Sequence, residues 1–125
     1  IEMQYNVVSY LDKLKKSKFR SSFKLSQNDY LYIEKKGIMT ISLHTKEFIH
    51  VRLSPANPKN DGKQTPFKNH PVFIAQHATA TCCRTCLNKW YRIPKGQILS
   101  IRQVDFCIDL IMTWITIQLD LLSSS

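Results

Sequence analysis

A single, mainly α-helical domain spanning residues 1–125 is what this sequence predicts. Three observations carry that expectation. Apolar residues recur at spacings of three and four in several segments, Ser26 with Asp29 and Ser100 with Gln103 sit where helix caps belong, and alternating strand patterns are missing outside Val72–Ala75. About four or five helices are expected, the last one long, with a long irregular loop and a Cys/His metal site. The chain is long enough to bury a real core. Its 43% hydrophobic and 22% charged residues are those of a globular protein and not of a disordered one.

In chain order, Val7, Val8, Leu11 and Leu14 recur at helical spacing and predict a helix from about Gln4 to Lys16, with Lys13, Lys15 and Lys16 on its polar face. With Lys18, Arg20 and Lys24 these form a basic cluster suited to a phosphate backbone, beside Phe19, Phe23 and Tyr30. A solvated helix face is the plainer alternative. Ser26 as N-cap and Gly37 as stop bound a helix over Gln27–Lys36. Ile38, Ile41, Thr45, Phe48, Ile49 and Leu53 predict the next helix over Ile38–Leu53, ended by Pro55 and Pro58. His44 and His50 fall within it as surface or satisfied side chains.

From Ser54 to Asn69 neither period holds, and a loop this long in a compact domain is uncommon unless disordered or functional. Asp61-Gly62 marks a tight turn and Lys63 adds a cation, without the glycines of a phosphate loop. Val72–Ala75 is a strand or a helix start. After a turn at Pro94-Lys95-Gly96, Ser100 opens the last helix, Ile101–Leu122. Arg102, Asp105, Asp109, Thr113, Thr116 and Asp120 make one polar stripe there, and the wide apolar arc beside it suits a core helix or one shared with a second protomer as a homodimer.

Eighteen Lys and Arg against nine Asp and Glu give +9, and the last basic residue is Arg102. That balance favours nucleic acid or another polyanion as partner. The four charges inside the last apolar segment argue against a membrane span. With no export-signal pattern at the start, and cysteines crowded as Cys82, Cys83 and Cys86 with a distant Cys107, a reducing cytoplasm is expected, where thiolates bind metal or do redox work.

If Cys82 to Arg92 is helical, all three thiols fall within about 100° of one helix face. A tetrahedral zinc site needs a fourth ligand, and His77 stands five residues before Cys82, with Cys107 and His70 competing. Zinc on His77, Cys82, Cys83 and Cys86 is the expected cofactor. An iron–sulfur cluster would need Cys107 as a fourth thiolate. Cys83-Arg84-Thr85-Cys86 is also a C-x-x-C whose thiolate Arg84 would favour, and reduced, inert cysteines are the plain alternative.

Phe19-Arg20-Ser21 with Phe23 and Leu25-Ser26, Tyr32-Ile33, Lys36-Gly37, Asn60 to Pro66, and HPVFIAQHATATCCRTCLNKWYRIPKG from His70 to Gly96 resemble the bacterial and phage family called domain of unknown function 4186. The resemblance covers about residues 15–116 and implies that the loop and the cysteine run form one site. Tyr91 departs from it, standing where members often carry histidine.

Two functional classes follow. A closed structural metal site would leave the basic surface to bind nucleic acid. An open coordination position would make a small enzyme, with Asp61 or His70 as general base, Lys63 holding an anionic substrate and Arg84 adding positive charge. The first is preferred, because no Glu or His-x-Glu accompanies the cysteines.

Overall fold

The computed structural model describes residues 6–124, and among them the chain is helical with no strand. The elements are α1 (Val7–Lys15), α2 (Lys18–Ser21), α3 (Gln27–Lys36), α4 (Ile38–Phe48) running into a π-helical turn (Ile49–Leu53), α5 (Pro71–Ala78), α6 (Arg84–Tyr91) and α7 (Ile101–Ser123). Among the described residues seven α-helices stand where four or five are expected, because the 18–21 turn and the Val72–Ala75 stretch each form a helix of their own. The proposed start of the first helix at Gln4 lies outside the described residues. Asn6 caps the visible helix by accepting from the Ser9 N–H.

Both predicted capping boxes are present, at Ser26/Asp29 and at Ser100/Gln103. Between α3 and α4 the backbone turns at Gly37 with φ 89°, a left-handed conformation that a Cβ would strain. The predicted Ile38–Leu53 helix covers the observed span, but its final turn is widened, with the Ser54 N–H reaching back to Ile49 O at 2.8 Å. Carbonyls left over beyond that turn are taken up from outside it: the Leu99 N–H and the Arg84 guanidinium both donate to Ser54 O.

Helix α7 is the centre of the packing, against α1, α3, α4, α5 and the π turn. Its Phe106, Cys107, Leu110, Ile111 and Ile115 meet Leu11 and Leu14 of α1, Ile33 of α3, Ile41 of α4, and Ile49 and Leu53 in one core. By length and composition α7 is also long and apolar enough to cross a membrane. Tyr91 lies in the same core, edge-on to Tyr10 and Phe106, and its hydroxyl donates to the Thr79 carbonyl.

Helix α5 starts on Pro71, and its cap is a histidine: His70 Nδ1 accepts from the Val72 N–H at 3.0 Å. That bond needs a lone pair on Nδ1, so the hydrogen sits on Nε2 and is donated to His44 Nδ1 at 3.1 Å. Burial, then the neighbouring His44, push the His70 pKa down to about 4, with Asp29 opposing. The unfolded chain therefore takes up a proton near pH 6.5 that the folded chain refuses until about pH 4. Stability present above pH 6.5 is lost across that window as the pH falls. We expect acidification to cost about 1 kcal/mol through this group after solvent screening. His70→Asn should keep a cap acceptor while flattening the dependence in urea titrations at pH 7 and pH 4.5; an unchanged dependence would refute the assignment.

Candidate metal centre

The irregular 54–70 segment is held down by Asp61. Its carboxylate accepts from the Arg84 N–H at 2.8 Å, the Thr85 hydroxyl at 2.8 Å, the Thr85 N–H at 3.3 Å and the Gln64 amide at 3.0 Å, with Lys95 Nζ 3.8 Å away. A carboxylate on the first free N–H groups of α6 satisfies that helix end and complements its dipole. Burial raises the Asp61 pKa, but the bonds from Gln64, Arg84 and Thr85 outweigh it and leave the group below the usual carboxylate value. Thr65 adds a second tie, its hydroxyl donating to Cys82 O at 2.7 Å. Loop and cysteine run are thus one structure, as the resemblance implies.

The other side of α6 is anchored by Arg84. Its buried guanidinium donates to the carbonyls of Pro55 at 2.7 Å, Leu53 at 3.3 Å, Ser54 at 3.5 Å, Pro94 at 2.8 Å and Gln97 at 2.7 Å. Lys63 stays exposed.

Between these ties the three thiols converge. Helix α6 begins at Arg84, so only Cys86 is helical, and the expected single helix face is corrected. Cys83 is the N-cap, with extended backbone at φ −159° and ψ 167°, and its Sγ accepts from the Cys86 N–H at 3.4 Å. Cys82 precedes it in a bend. Leaving the helix is what lets two adjacent residues aim both sulfurs at the same point. The three Sγ atoms all lie within 4.8 Å of one another, with Cys82 and Cys86 at 3.6 Å, and all three cysteines are free thiols.

Arg20 of α2 closes the cluster from the opposite side. Its Nη2 lies 3.1 Å from Cys86 Sγ, and its Nη1 lies 3.7 Å from Cys82 Sγ and 2.7 Å from His77 O. Burial works against its charge, but the bonds to Cys86 and Cys82 outweigh that and hold its pKa above the usual value. In the sequence Arg20 is one cation in a basic cluster; the contact joins residues 62 and 66 positions apart, beyond any local pattern.

His77 stands apart from the mutually close ligand atoms. Its Nε2 faces Thr65 O at 3.0 Å and Pro66 O at 3.2 Å, and carbonyls only accept, so Nε2 carries the hydrogen and Nδ1 the lone pair. Burial, outweighing the two carbonyls, keeps the ring below its ordinary pKa and therefore neutral. The competing ligands are placed elsewhere. Cys107 is fully buried in α7, its pKa pushed up to about 12 by burial, and His70 caps α5.

Three thiols this close cannot all ionise unaided, because like charges repel at short range. Cys86 is held lowest, by bonds from Cys82 and Cys83 and then by Arg20. Cys82 is raised by its bonds to Cys83 and Cys86 and by burial; Cys83 is drawn down by Cys82, but Cys86 and burial raise it by more. A soft or borderline cation would displace the remaining protons and bring in the missing positive charge, and the Arg20 donors already face two of the sulfurs.

Fold and site together define a small helical domain with a three-cysteine cluster that could hold a metal ion. The chain belongs to the family described as Domain of unknown function (DUF4186), which matches residues 8–116. No solved structure matches the chain.

Proposed function

We propose that this is a zinc protein whose ion is held by the thiolates of Cys82, Cys83 and Cys86 and whose basic surface binds nucleic acid. The convergence of three sulfurs within 4.8 Å, on residues that no disulfide joins, carries the metal half. A thiolate-rich donor set suits zinc better than magnesium or calcium, and three cysteines fall one short of an ordinary iron–sulfur cluster. His77 is the proposed fourth ligand, through the Nδ1 lone pair that its carbonyl-bound Nε2 leaves free. Bound there, zinc would supply folding energy and pin together the chain around residues 65, 77 and 82–86.

The nucleic-acid half is supported by how charge is segregated. Neither Lys13–Asn28 nor Gly62–Val104 contains an Asp or Glu, and the packing of α2 on α5 brings these two windows together at the cysteines. Such a face releases counterions from a phosphate backbone. Fluorescence titrations of the zinc-loaded protein with oligonucleotides should show affinity falling about 50-fold for a single strand, or about 150-fold for a duplex, between 50 and 200 mM salt if four phosphates are engaged. No binding at the lower salt would refute this half. One observation favours a second proposal, an open-site enzyme: the His77 ring lies outside the group of close ligand atoms, and an ion held by the three thiolates alone would keep a position for water.

A further inference from the structure

The phenylalanine rings beside the cysteines have no use in holding a metal, and two of them, Phe19 and Phe67, are largely exposed. Phe67 lies flat on His77, with centroids 4.0 Å apart and planes within 8°, yet the residue is 62% exposed. Phe23 is nearly parallel to both, at 19° to His77 and 14° to Phe67. Phe19, 53% exposed, meets Phe23 edge-on at 5.2 Å. The platform is braced: the His77 ring is fixed by the two carbonyls, and its own carbonyl is gripped by Arg20, which also holds the sulfurs. Lys18, Lys24 and Lys68 flank it in sequence and are all exposed.

Rigid aromatic faces open to solvent and edged by cations are what stack unpaired bases. A duplex offers no such face, because its bases are already stacked and paired, and it shows proteins only grooves and phosphates. An anionic partner without rings would leave the Phe67 face unused. We propose that the ledge of Phe19, Phe23 and Phe67 is a base-stacking platform for single-stranded nucleic acid, with Lys18, Lys24 and Lys68 along the phosphates. This inference rests on the nucleic-acid half of the function proposed above and names the strand form and the subsite. Stacking reads the face of the base, so DNA and RNA strands share the chemistry; only contacts to the 2′-hydroxyl would separate them.

The zinc-loaded full chain is titrated with fluorescein-labelled oligo-dT, oligo-rU and a hairpin duplex of equal charge. Single strands should bind more tightly than the hairpin. Phe67→Ala should weaken both single strands about 5- to 100-fold, the loss of one base–aromatic stack, without changing the salt slope. Phe67→Trp should restore the affinity. Lys68→Ala should reduce the salt slope while leaving the preference for single strands. Phe67 is exposed, so zinc content and circular dichroism should match the unaltered chain, and a variant failing that check is replaced by Phe19→Ala. Unequal affinity for dT and rU, with both weakened by Phe67→Ala, supports the platform and identifies the strand. Salt-dependent binding that Phe67→Ala leaves intact, or weakens equally for the hairpin, overturns the platform and leaves the nucleic-acid half standing. Absence of binding to all three overturns both.

Discussion

Replacing Cys86 with Ser is expected to release close to one equivalent of zinc and to lower stability by about 3–5 kcal/mol, because metal affinity gained only in the folded state is folding energy. Cys86 is the most acidic of the three thiols and its sulfur is the one nearest Arg20, at 3.1 Å, so its replacement leaves two thiolates, Cys82 and Cys83, to hold the ion. The change should be felt first where the cluster is tied to the 54–70 segment, through Thr65 and Cys82. Metal analysis with thermal unfolding checks it. Added chelator should bring the unaltered chain down to the stability of the variant, whereas chelator should leave the variant unmoved. A variant that keeps its zinc, or an unaltered chain indifferent to chelator, would contradict the assignment.

Arg84→Ala should be more damaging than any exposed substitution, by upwards of about 4 kcal/mol. The guanidinium joins the carbonyls of Leu53 and Pro55, at and just after the end of the π turn, to those of Pro94 and Gln97, and its removal leaves acceptors on both sides without this donor. Arg84→Lys should recover only part of this, since one ammonium cannot span both sets of carbonyls as a planar fork does. Because this side chain fixes the first residue of α6, next to Cys83 and two residues before Cys86, zinc affinity should fall with stability. Urea unfolding and metal competition measure the two losses. A cost below about 1 kcal/mol for Arg84→Ala would show that the carbonyls find water instead.

How much of this is visible in the sequence depends on how far apart the partners lie. Capping is local, so Ser26/Asp29 and Ser100/Gln103 are legible from spacings of three, and Gly37 from its own backbone freedom. The core stripe of α7 is equally plain, since 3.6-residue periodicity over 23 residues leaves little ambiguity. The cysteine run announces a cluster, but not how it forms. Periodicity suggests one helix face, whereas the sulfurs converge because Cys83 is an extended cap with Cys82 ahead of it. Arg20, Asp61 and Arg84 read in sequence as a phosphate contact, a candidate general base and a positive charge beside the thiolates. In the fold each is spent on holding the cluster in place, through partners that only tertiary packing brings within reach. His70 is likewise a cap for α5, a role its sequence neighbours do not signal because histidine is an uncommon N-cap.

X-ray absorption at the zinc edge of the metal-loaded chain tests the central claim most directly. Three sulfurs at about 2.3 Å and one lighter ligand at about 2.0 Å are predicted. Imidazole scattering that disappears in His77→Ala would place His77 in the fourth position, and an oxygen there would favour the open-site enzyme. A first shell with fewer than three sulfurs, or no zinc bound by protein prepared under reducing conditions, would contradict the metal centre itself.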